Sequence, residues 1–514
     1  MTEIMRTDTA QKSNTTNLHP QYRKMMGWAE DGSAIDFARG VWDTMIDCAA
    51  GERQIKSRGS EYLPKTGGII AEELTNPVAA AAAYSSYLTR AQYFEILGQM
   101  ITSMQGMIFA APVVCELPGK MSDMVEDATT DHQTVDELAR AVSFAQLTTG
   151  RIGLLIDPQD GQGIVAPKIA KYVEKSILNW GVDDENTLKW LILDESGYIC
   201  ESATGIYRWR ELYRICATEQ YEGADGGTII GDYYTYTRTN MIGLDLTTPP
   251  ADAQYPEING KRVQFIPFQI INSFDTKIDC SMPAMIPVAN ISLSAYRNSA
   301  DYELALYMTA QPTTVVTGAD GSDTIALGAN RVLKVKNPDA KIYFHEITGA
   351  GIEKQRQAIR DKLEEARAFG VELVENSAES GAALNTRLTV KTSSLRNIAD
   401  TCEEGIGKTL RMAAEWCGYS PDDVVFTVNK DFKNDQIVPQ DIGLLGNEIA
   451  RGNFSRRDLH KLLVDGQYTT TTDYDEWVSD VESGQAQMPT FSGLQMLAAD
   501  KNNAEGEGYG NGQE

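Results

Sequence analysis

Residues 281–311, SMPAMIPVANISLSAYRNSADYELALYMTAQ, constrain this chain more than any other stretch. Met285, Ala289, Leu293, Tyr296, Ala300, Leu304 and Tyr307 recur every three or four residues, the repeat of one apolar helix face. Pro283 and Pro287 stand near the start, where the first turn of a helix tolerates proline. The spacing predicts a helix of roughly 29 residues, about 43 Å long. That length is unusual for a compact domain.

The chain around it falls into blocks, and 514 residues suggest three or four domains. Residues 1–20 are polar. From Tyr22 to about Gln54, apolar residues including Trp28, Phe37, Trp42 and Met45 point to helical segments broken at Asp31-Gly32. The turn EYLPKTGG (61–68) precedes a helical run from Pro77 to about Met107, with Tyr84, Tyr87, Leu88, Ala91, Phe94 and Leu97 on its buried face. A third helical region, about 134–148, stops at Gly150. Residues 151–270 read as a β-rich block, with strand-like runs at 151–157, 189–194, 198–201, 207–217 and 233–238, closing on VQFIPFQII (263–271).

After the long helix comes a small β-like module, 312–348, then a charged helix, about 352–369, ended by Gly370. A loop at 371–382 leads to a second long helix, about 383–417, carrying Leu384, Leu388, Leu395, Ile398, Ile406, Leu410 and Trp416 and stopping at Gly418. Strand-like VVFTVNKDF (424–432) and helical segments near 440–451 and 455–464 follow. The acidic tail, ending NNAEGEGYGNGQE, is expected to be disordered.

Lys plus Arg is 46 against 72 for Asp plus Glu, a formal charge of −26. That argues against gripping nucleic acid over the whole surface, which needs a basic face. It leaves room for a protein that lets nucleic acid pass. The longest apolar stretch, Ala79–Tyr84, falls far short of the ~18–20 residues of a membrane span. The first twenty residues have no apolar core of a signal peptide, so a cytoplasmically made, reduced protein is expected. Seven scattered cysteines without a CxxC pair, and four distant histidines, make a zinc site improbable.

No motif carries persuasive chemistry. Gly405-Ile-Gly-Lys-Thr409 resembles the end of a phosphate-binding loop, but Cys402 occupies the place of the first glycine and the segment lies inside an amphipathic helix. Gly161-Gln-Gly163-Ile-Val-Ala166 is flanked by Pro158 and Pro167, so it reads as a turn rather than a dinucleotide site. No histidine sits in a catalytic context, and the dispersed carboxylates read as solvated surface. The aromatic clusters at Tyr207, Trp209 and Tyr213, and at Tyr233, Tyr234 and Tyr236, read as sheet packing in preference to single-strand stacking. The charged helix is either exposed and laced by intrahelical pairs such as Lys362 with Glu365, or an interface helix paired between chains. No catalytic, cofactor-binding or metal-binding residue is assigned, and no cofactor is expected.

The order of blocks says more. EYLPK (61–65), the stretch SYLTRAQYFEILGQMITSMQGMIF (86–109), PKIAKYVEKSILNW (167–180), IPF (266–268), PVANISLSAYRNSADYELALYMTAQPTTVVTG (287–318) and SGAALNTRLTVKTSSLRNIADTCEEGIGKTLRMAAEWCG (380–418) together resemble the portal, or head–tail connector, proteins of tailed bacteriophages. The resemblance covers about residues 20–465. It implies an α+β multidomain portal fold of wing, stem, clip and crown that assembles into a ring around a central channel.

By position it implies a flexible arm at 1–20, a wing at 21–280, a stem helix at 281–311 and a clip at 312–348. It further implies a second stem helix at 349–370, a tunnel loop at 371–384, a wing return at 385–440, a crown at 441–485 and a disordered tail at 486–514. Glu372, Glu375, Asn376 and Glu379 would line the channel, and their acids would repel the duplex rather than hold it. Arg331, Lys334 and Lys336 would meet terminase or adaptor at the clip. Met285, Leu293, Tyr296, Arg356 and Arg360 would form the ring interface of the stem, since cyclic symmetry makes such contacts heterologous and closing.

The implied function is a non-enzymatic dodecamer at one capsid vertex, the channel for packaging and ejecting double-stranded DNA. Its implied partners are the terminase large subunit, major capsid protein, scaffolding protein, and head-completion, adaptor and tail proteins, without a membrane. The competing readings are a packaging ATPase or nuclease, and a capsid or baseplate protein without a channel.

Overall fold

Thr134 and Glu137 begin one helix of this chain by capping one another. The Thr134 hydroxyl accepts the Glu137 N–H at 3.1 Å, while the Glu137 carboxylate accepts the Thr134 N–H at 2.9 Å, two otherwise orphaned donors satisfied reciprocally. The helix ends before Gly150, whose φ of 80° suits a residue without a Cβ. A computed structural model describes residues 18–28, 40–157, 167–202, 204–222, 228–258, 261–309, 313–317, 341–345, 350–369, 381–430, 455–465 and 473–487, with single residues 339, 432, 469 and 471. It separates into two units, Met1–Phe432 and Lys433–Glu514.

Among the described residues, the first unit opens with seven α-helices: α1 (Pro20–Met25), α2 (Val41–Ala50), α3 (Glu52–Ser57), α4 (Gly67–Glu73), α5 (Pro77–Arg90), α6 (Ile96–Ile108) and the capped α7 (Val135–Thr148). The expected single run from Pro77 to Met107 is two helices, because Ala91 turns extended with ψ 138°. The break is held by distant partners: the Gln92 N–H reaches Ser299 Oγ at 2.9 Å, and Glu95 Oε1 accepts the Glu52 N–H at 2.9 Å. Tyr87, Ala91 and Leu97 are buried all the same, so the face survives the break.

Strand β1 (Val114–Glu116) precedes α7, and the β-rich block follows it. It comprises β2 (Arg151–Asp157), β3 (Lys168–Val173), β4 (Ile177–Val182), β5 (Leu188–Asp194), β6 (Gly197–Glu201), β7 (Ile206–Arg210), β8 (Tyr213–Glu222), β9 (Thr228–Arg238), β10 (Glu257–Ile258), β11 (Lys261–Arg262) and β12 (Phe268–Asn272). They form antiparallel sheets in the orders β12-β2-β3 and β4-β5-β8-β9, with β6–β7 and β10–β11 as separate hairpins.

The expected strand 207–217 is cut at Glu211–Leu212. There the Leu212 carbonyl accepts the Glu195 N–H at 2.8 Å, and the Leu212 N–H goes to Ser196 Oγ at 3.1 Å. The expected strand 263–271 is ladder-paired only from Phe268, since Pro267 has no N–H to give and its carbonyl is taken by the Ile156 N–H at 3.0 Å.

Two apolar clusters hold this unit together. One joins the helices to β2. The other lies under the four-stranded sheet and contains Trp180, Tyr233, Tyr234 and Tyr236, so that aromatic cluster packs the sheet as expected. Arg151 is buried beside it, 4.4 Å from the Trp180 ring, and donates to the Ile278 carbonyl at 2.6 Å. His19 stacks on Trp180 with ring centroids 3.7 Å apart.

The long-helix segment begins with α8 (Ile286–Thr309). It starts later than the expected residue 281; Pro283 instead packs on Gly150, where an added Cβ would lie 3.1 Å from Pro283 Cα. Strands β13 (Thr313–Thr317) and β14 (Lys341–His345) pair antiparallel. Then come α9 (Ala350–Phe369), α10 (Gly381–Cys417) and β15 (Val425–Thr427), which pairs with β1. Helix α10 includes residues 381–384, assigned above to the tunnel loop; residues 370–380 lie outside the described set.

The second unit contains α11 (Arg456–Asp465) and α12 (Tyr474–Gln487). His460 lies between them, 5.0 Å from the Trp477 ring, and its Nε2 is 2.9 Å from the Thr471 carbonyl. The arm at 1–17, the segment 441–454 and the tail from 488 lie outside the described residues. No described helix is long and apolar enough to cross a membrane.

Candidate assembly surface

Helix α8 is built to be clamped along its first half. Val288, Ala289, Ser292, Leu293, Ala295, Tyr296, Ser299 and Ala300 are buried, and three polar contacts tie the helix to the rest of the chain. Arg297 Nε donates to the Tyr62 carbonyl at 3.0 Å, and Ser299 Oγ donates to the Gln92 carbonyl at 2.8 Å. The Tyr87 hydroxyl donates to Asp301 Oδ1 at 2.6 Å. Burial, with that carboxylate beside it, pushes the Tyr87 phenol well above its ordinary range.

Met285, Leu293 and Tyr296 were expected at a ring interface. They are instead inside this chain's own core, at 5%, 4% and 0% exposure, with Tyr296 edge-on to Tyr93 at 6.0 Å. The periodicity correctly marked a buried face; the same chain buries it.

Helix α9 lies against α8 and shows two faces. Ile359 and Ala366 are buried, and Ile352, Gln355, Ala358, Lys362 and Leu363 are half-buried, a stripe at helical spacing. Lys362 Nζ donates to Ser294 Oγ across the seam at 2.7 Å. The expected Lys362–Glu365 pair is therefore replaced by a contact to α8.

On the outer face, Lys354, Arg356, Arg360, Asp361, Glu364, Glu365 and Arg367 are exposed. Arg356 lies 4.0 Å from Glu353, and Asp361 accepts a hydrogen bond from Gln357 at 2.6 Å. Among the described residues, Lys354, Arg360, Glu364, Glu365 and Arg367 have no ion-pair partner. Arg356 and Arg360 thus stand on the exposed side of the α8–α9 pair, among charges of both signs: Glu353 and Lys354 before them, and Asp361, Glu364, Glu365 and Arg367 beyond.

The other expected site residues, Arg331, Lys334 and Lys336, and Glu372, Glu375, Asn376 and Glu379, lie outside the described residues. The strands that flank the first group are present as the β13–β14 ladder, Thr313 opposite His345 through Thr317 opposite Lys341.

The phosphate-loop look-alike has a packing explanation. Gly405 lies within α10, and an added Cβ would meet Ile271 Cγ1 at 2.4 Å and Cδ1 at 2.5 Å. Lys408 is bound to Glu404 at 2.6 Å, and Thr409 Oγ1 returns to the Gly405 carbonyl at 2.9 Å. The glycine lets a helix approach strand β12; it does not open a loop around an anion.

Sequence reasoning placed strands at 198–201 and 207–217 but missed that the first pairs with the start of the second as a separate, exposed β6–β7 hairpin. Tyr233, Tyr234 and Tyr236 are buried while Tyr207 and Trp209 are exposed, and among the described residues no further strand pairs with this hairpin. The signal available was Gly205, between Tyr198 and the run Tyr207–Trp209, which marks a turn but not the exposure of the hairpin.

A family model described as Domain of unknown function (DUF4055) matches residues 284–417, the segment from just before α8 through the last residue of α10. No curated protein matches the chain. Among solved structures, the chain is similar to one described as "Virion of native gene transfer agent (GTA) particle", at 16% identity over 72% of this chain and 89% of the other, with a TM-score of 0.36. It is also similar to "Neck of native GTA particle computed with C12 symmetry", at 15% identity, 72% and 89% coverage and a TM-score of 0.35. Likenesses of that size do not by themselves fix a fold or a role.

Proposed function

We propose that this chain is a portal-type structural subunit of a tailed-phage-like virion. Copies form a closed ring, a dodecamer by the family resemblance, at one capsid vertex, and double-stranded DNA enters and leaves through its axis. Terminase, scaffolding and major capsid protein, and head-completion, adaptor and tail proteins are its partners. It is not an enzyme; a separate terminase supplies the work of packaging. The block order of the sequence supports this reading.

The observation that carries it in the structure is the outer face of α9. It presents exposed charges of both signs, of which Lys354, Arg360, Glu364, Glu365 and Arg367 find no ion partner among the described residues, on a helix already seated on its own chain. Neighbours related by rotation can pair such charges, and a heterologous contact of this kind closes into a ring. The acids at Glu372, Glu375 and Glu379 suit a wall that confines DNA without holding it, because each neutralised phosphate would strengthen the hold and slow sliding. The competing packaging-enzyme reading loses its one motif, since Gly405 and Lys408 are committed to packing and an intrahelical pair.

Native mass measurement of the purified full chain tests the proposal. One discrete multiple of the 56.5 kDa chain supports it. A monomer at all concentrations, or an open-ended series of masses, overturns it.

A further inference from the structure

Helix α1 has six residues, too few to persist alone in water, so its neighbours decide whether it forms. Leu18, Tyr22 and Met25 belong to the apolar cluster under the four-stranded sheet, and the Tyr22 ring stands edge-on to Trp42 at 5.5 Å. The His19 N–H donates to the Leu178 carbonyl of β4 at 3.1 Å, and the Tyr22 hydroxyl to the Lys175 carbonyl at 3.0 Å.

From this seat Gln21 reaches the loop that leads into α8. Its Nε2 donates to Asp279 Oδ1 at 2.7 Å, and its Oε1 accepts the Cys280 N–H at 2.8 Å. The loop is also tied from elsewhere. Arg151 donates to the Ile278 carbonyl at 2.6 Å, and the Asn272 side-chain amide donates to the Lys277 carbonyl at 2.8 Å and the Asp279 carbonyl at 3.1 Å.

The seat fits an uncharged imidazole. His19 is the N-cap of α1, and its Nδ1 accepts the Gln21 N–H at 3.3 Å; protonation turns that acceptor into a donor. The ring lies on Trp180 at 3.7 Å, and the same indole already carries the buried Arg151 guanidinium at 4.4 Å. A protonated His19 would set a second cation there, with Arg23 of α1 a third. The acid beside it is Asp279, whose carboxylate is engaged by Gln21. The Cys280 thiol accepts from Arg151, and at the turn between β3 and β4 Lys175 pairs with Asp43 at 2.6 Å.

Burial first, then Arg151, lowers His19 to about 4, with Arg23 adding to the shift and Asp279 opposing it. Such a ring favours the seated state above pH 6.5 and loses it as pH falls toward 4. Glu174, buried in the same turn as Lys175, works the other way. Burial holds its carboxyl above the ordinary range, so its protonation favours the folded state as pH falls.

We propose that α1 is a pH-released clasp: neutral His19 seats it and, through Gln21, fixes the loop ahead of α8, and protonation of His19 unseats it. Arg151 and Asn272 then hold that loop without α1. The clasp lies within one chain and does not depend on assembly.

Hydrogen exchange of the full chain near pH 7 and near pH 5 tests it. Protection factors remove the intrinsic pH dependence of exchange and read the seat at residues 18–26 and the loop at 278–282. Both segments are expected to lose protection roughly ten-fold at the lower pH, allowing for partial exposure of the ring, while α7 keeps its own. His19→Asn retains an N-cap acceptor that does not titrate, and should hold protection level between the two pH values. Gln21→Ala cuts the tie to Asp279 and Cys280 and should lower protection at 278–282 at both.

Parent protection that is the same at both pH values overturns the clasp, whatever the variants do. So does a step that persists in H19N, or one that α7 shares, which is general loosening and not release of α1. Protection at 278–282 left unchanged by Q21A overturns the link to the loop.

Discussion

Replacing Gly405 by alanine sets two effects of known size against each other. In an exposed helix interior the change should stabilise by about 0.8–1.0 kcal/mol, because alanine restricts the unfolded chain and glycine does not. Here the new methyl would meet three atoms of the buried Ile271 side chain at 2.4, 2.5 and 3.2 Å. The whole isoleucine must move, in a core where overpacking costs about 1–3 kcal/mol.

The crowding is expected to offset the gain or exceed it, leaving Gly405→Ala less stable by up to about 2 kcal/mol. Ile271→Ala alone should cost about 2–5 kcal/mol through the cavity it leaves. In that background Gly405→Ala fills part of the cavity and should become neutral or stabilising. The cycle then gives a coupling of about 1–3 kcal/mol. Urea midpoints of the four proteins at one pH measure it. A single G405A chain stabilised by the full helix-propensity increment, with no coupling to position 271, would refute the packing account of this glycine.

The His19 stack on Trp180 predicts a pH dependence. Burial, then the nearby Arg151, lowers its pKa from 6.5 to about 4. The folded state therefore binds fewer protons than the unfolded state between those values. Its contribution is complete above pH 6.5 and is lost as pH falls toward 4, by about 1–2 kcal/mol after allowance for partial exposure. His19→Asn keeps an acceptor for the Gln21 N–H and should flatten the urea-midpoint profile over that range; an unchanged slope would sink the idea. Ser299→Ala removes the acceptor for the Gln92 N–H and should cost about 1–2 kcal/mol, with faster hydrogen exchange at Gln92 than in the parent; unchanged exchange there contradicts it. Changing Glu372, Glu375 and Glu379 together to lysine should slow packaging or trap DNA in particles. Particles that fill and empty normally would rule out a repulsive channel lining.

Local chemistry was the legible part of this chain. Thr134, Glu137 and Gly150 define α7 by contacts within a few residues, and Gly418, at φ 79°, ends α10 in the same way. The break between α5 and α6 was not legible, because its donors are satisfied by Ser299, more than two hundred residues away. The repeat through Met285, Leu293 and Tyr296 announces burial but cannot say which chain supplies the cover. Tyr207 and Tyr234 likewise share an alternating pattern, and only the neighbours of their strands decide that one is exposed and the other buried. Gly405 looked like half of a phosphate loop until Ile271 was found against it.

The central claim is a closed ring, and microscopy of the purified full chain in negative stain tests it most directly. The account predicts end-on views with one rotational symmetry and an axial hole. Compact monomers, solid particles without a hole, or open filaments would contradict it.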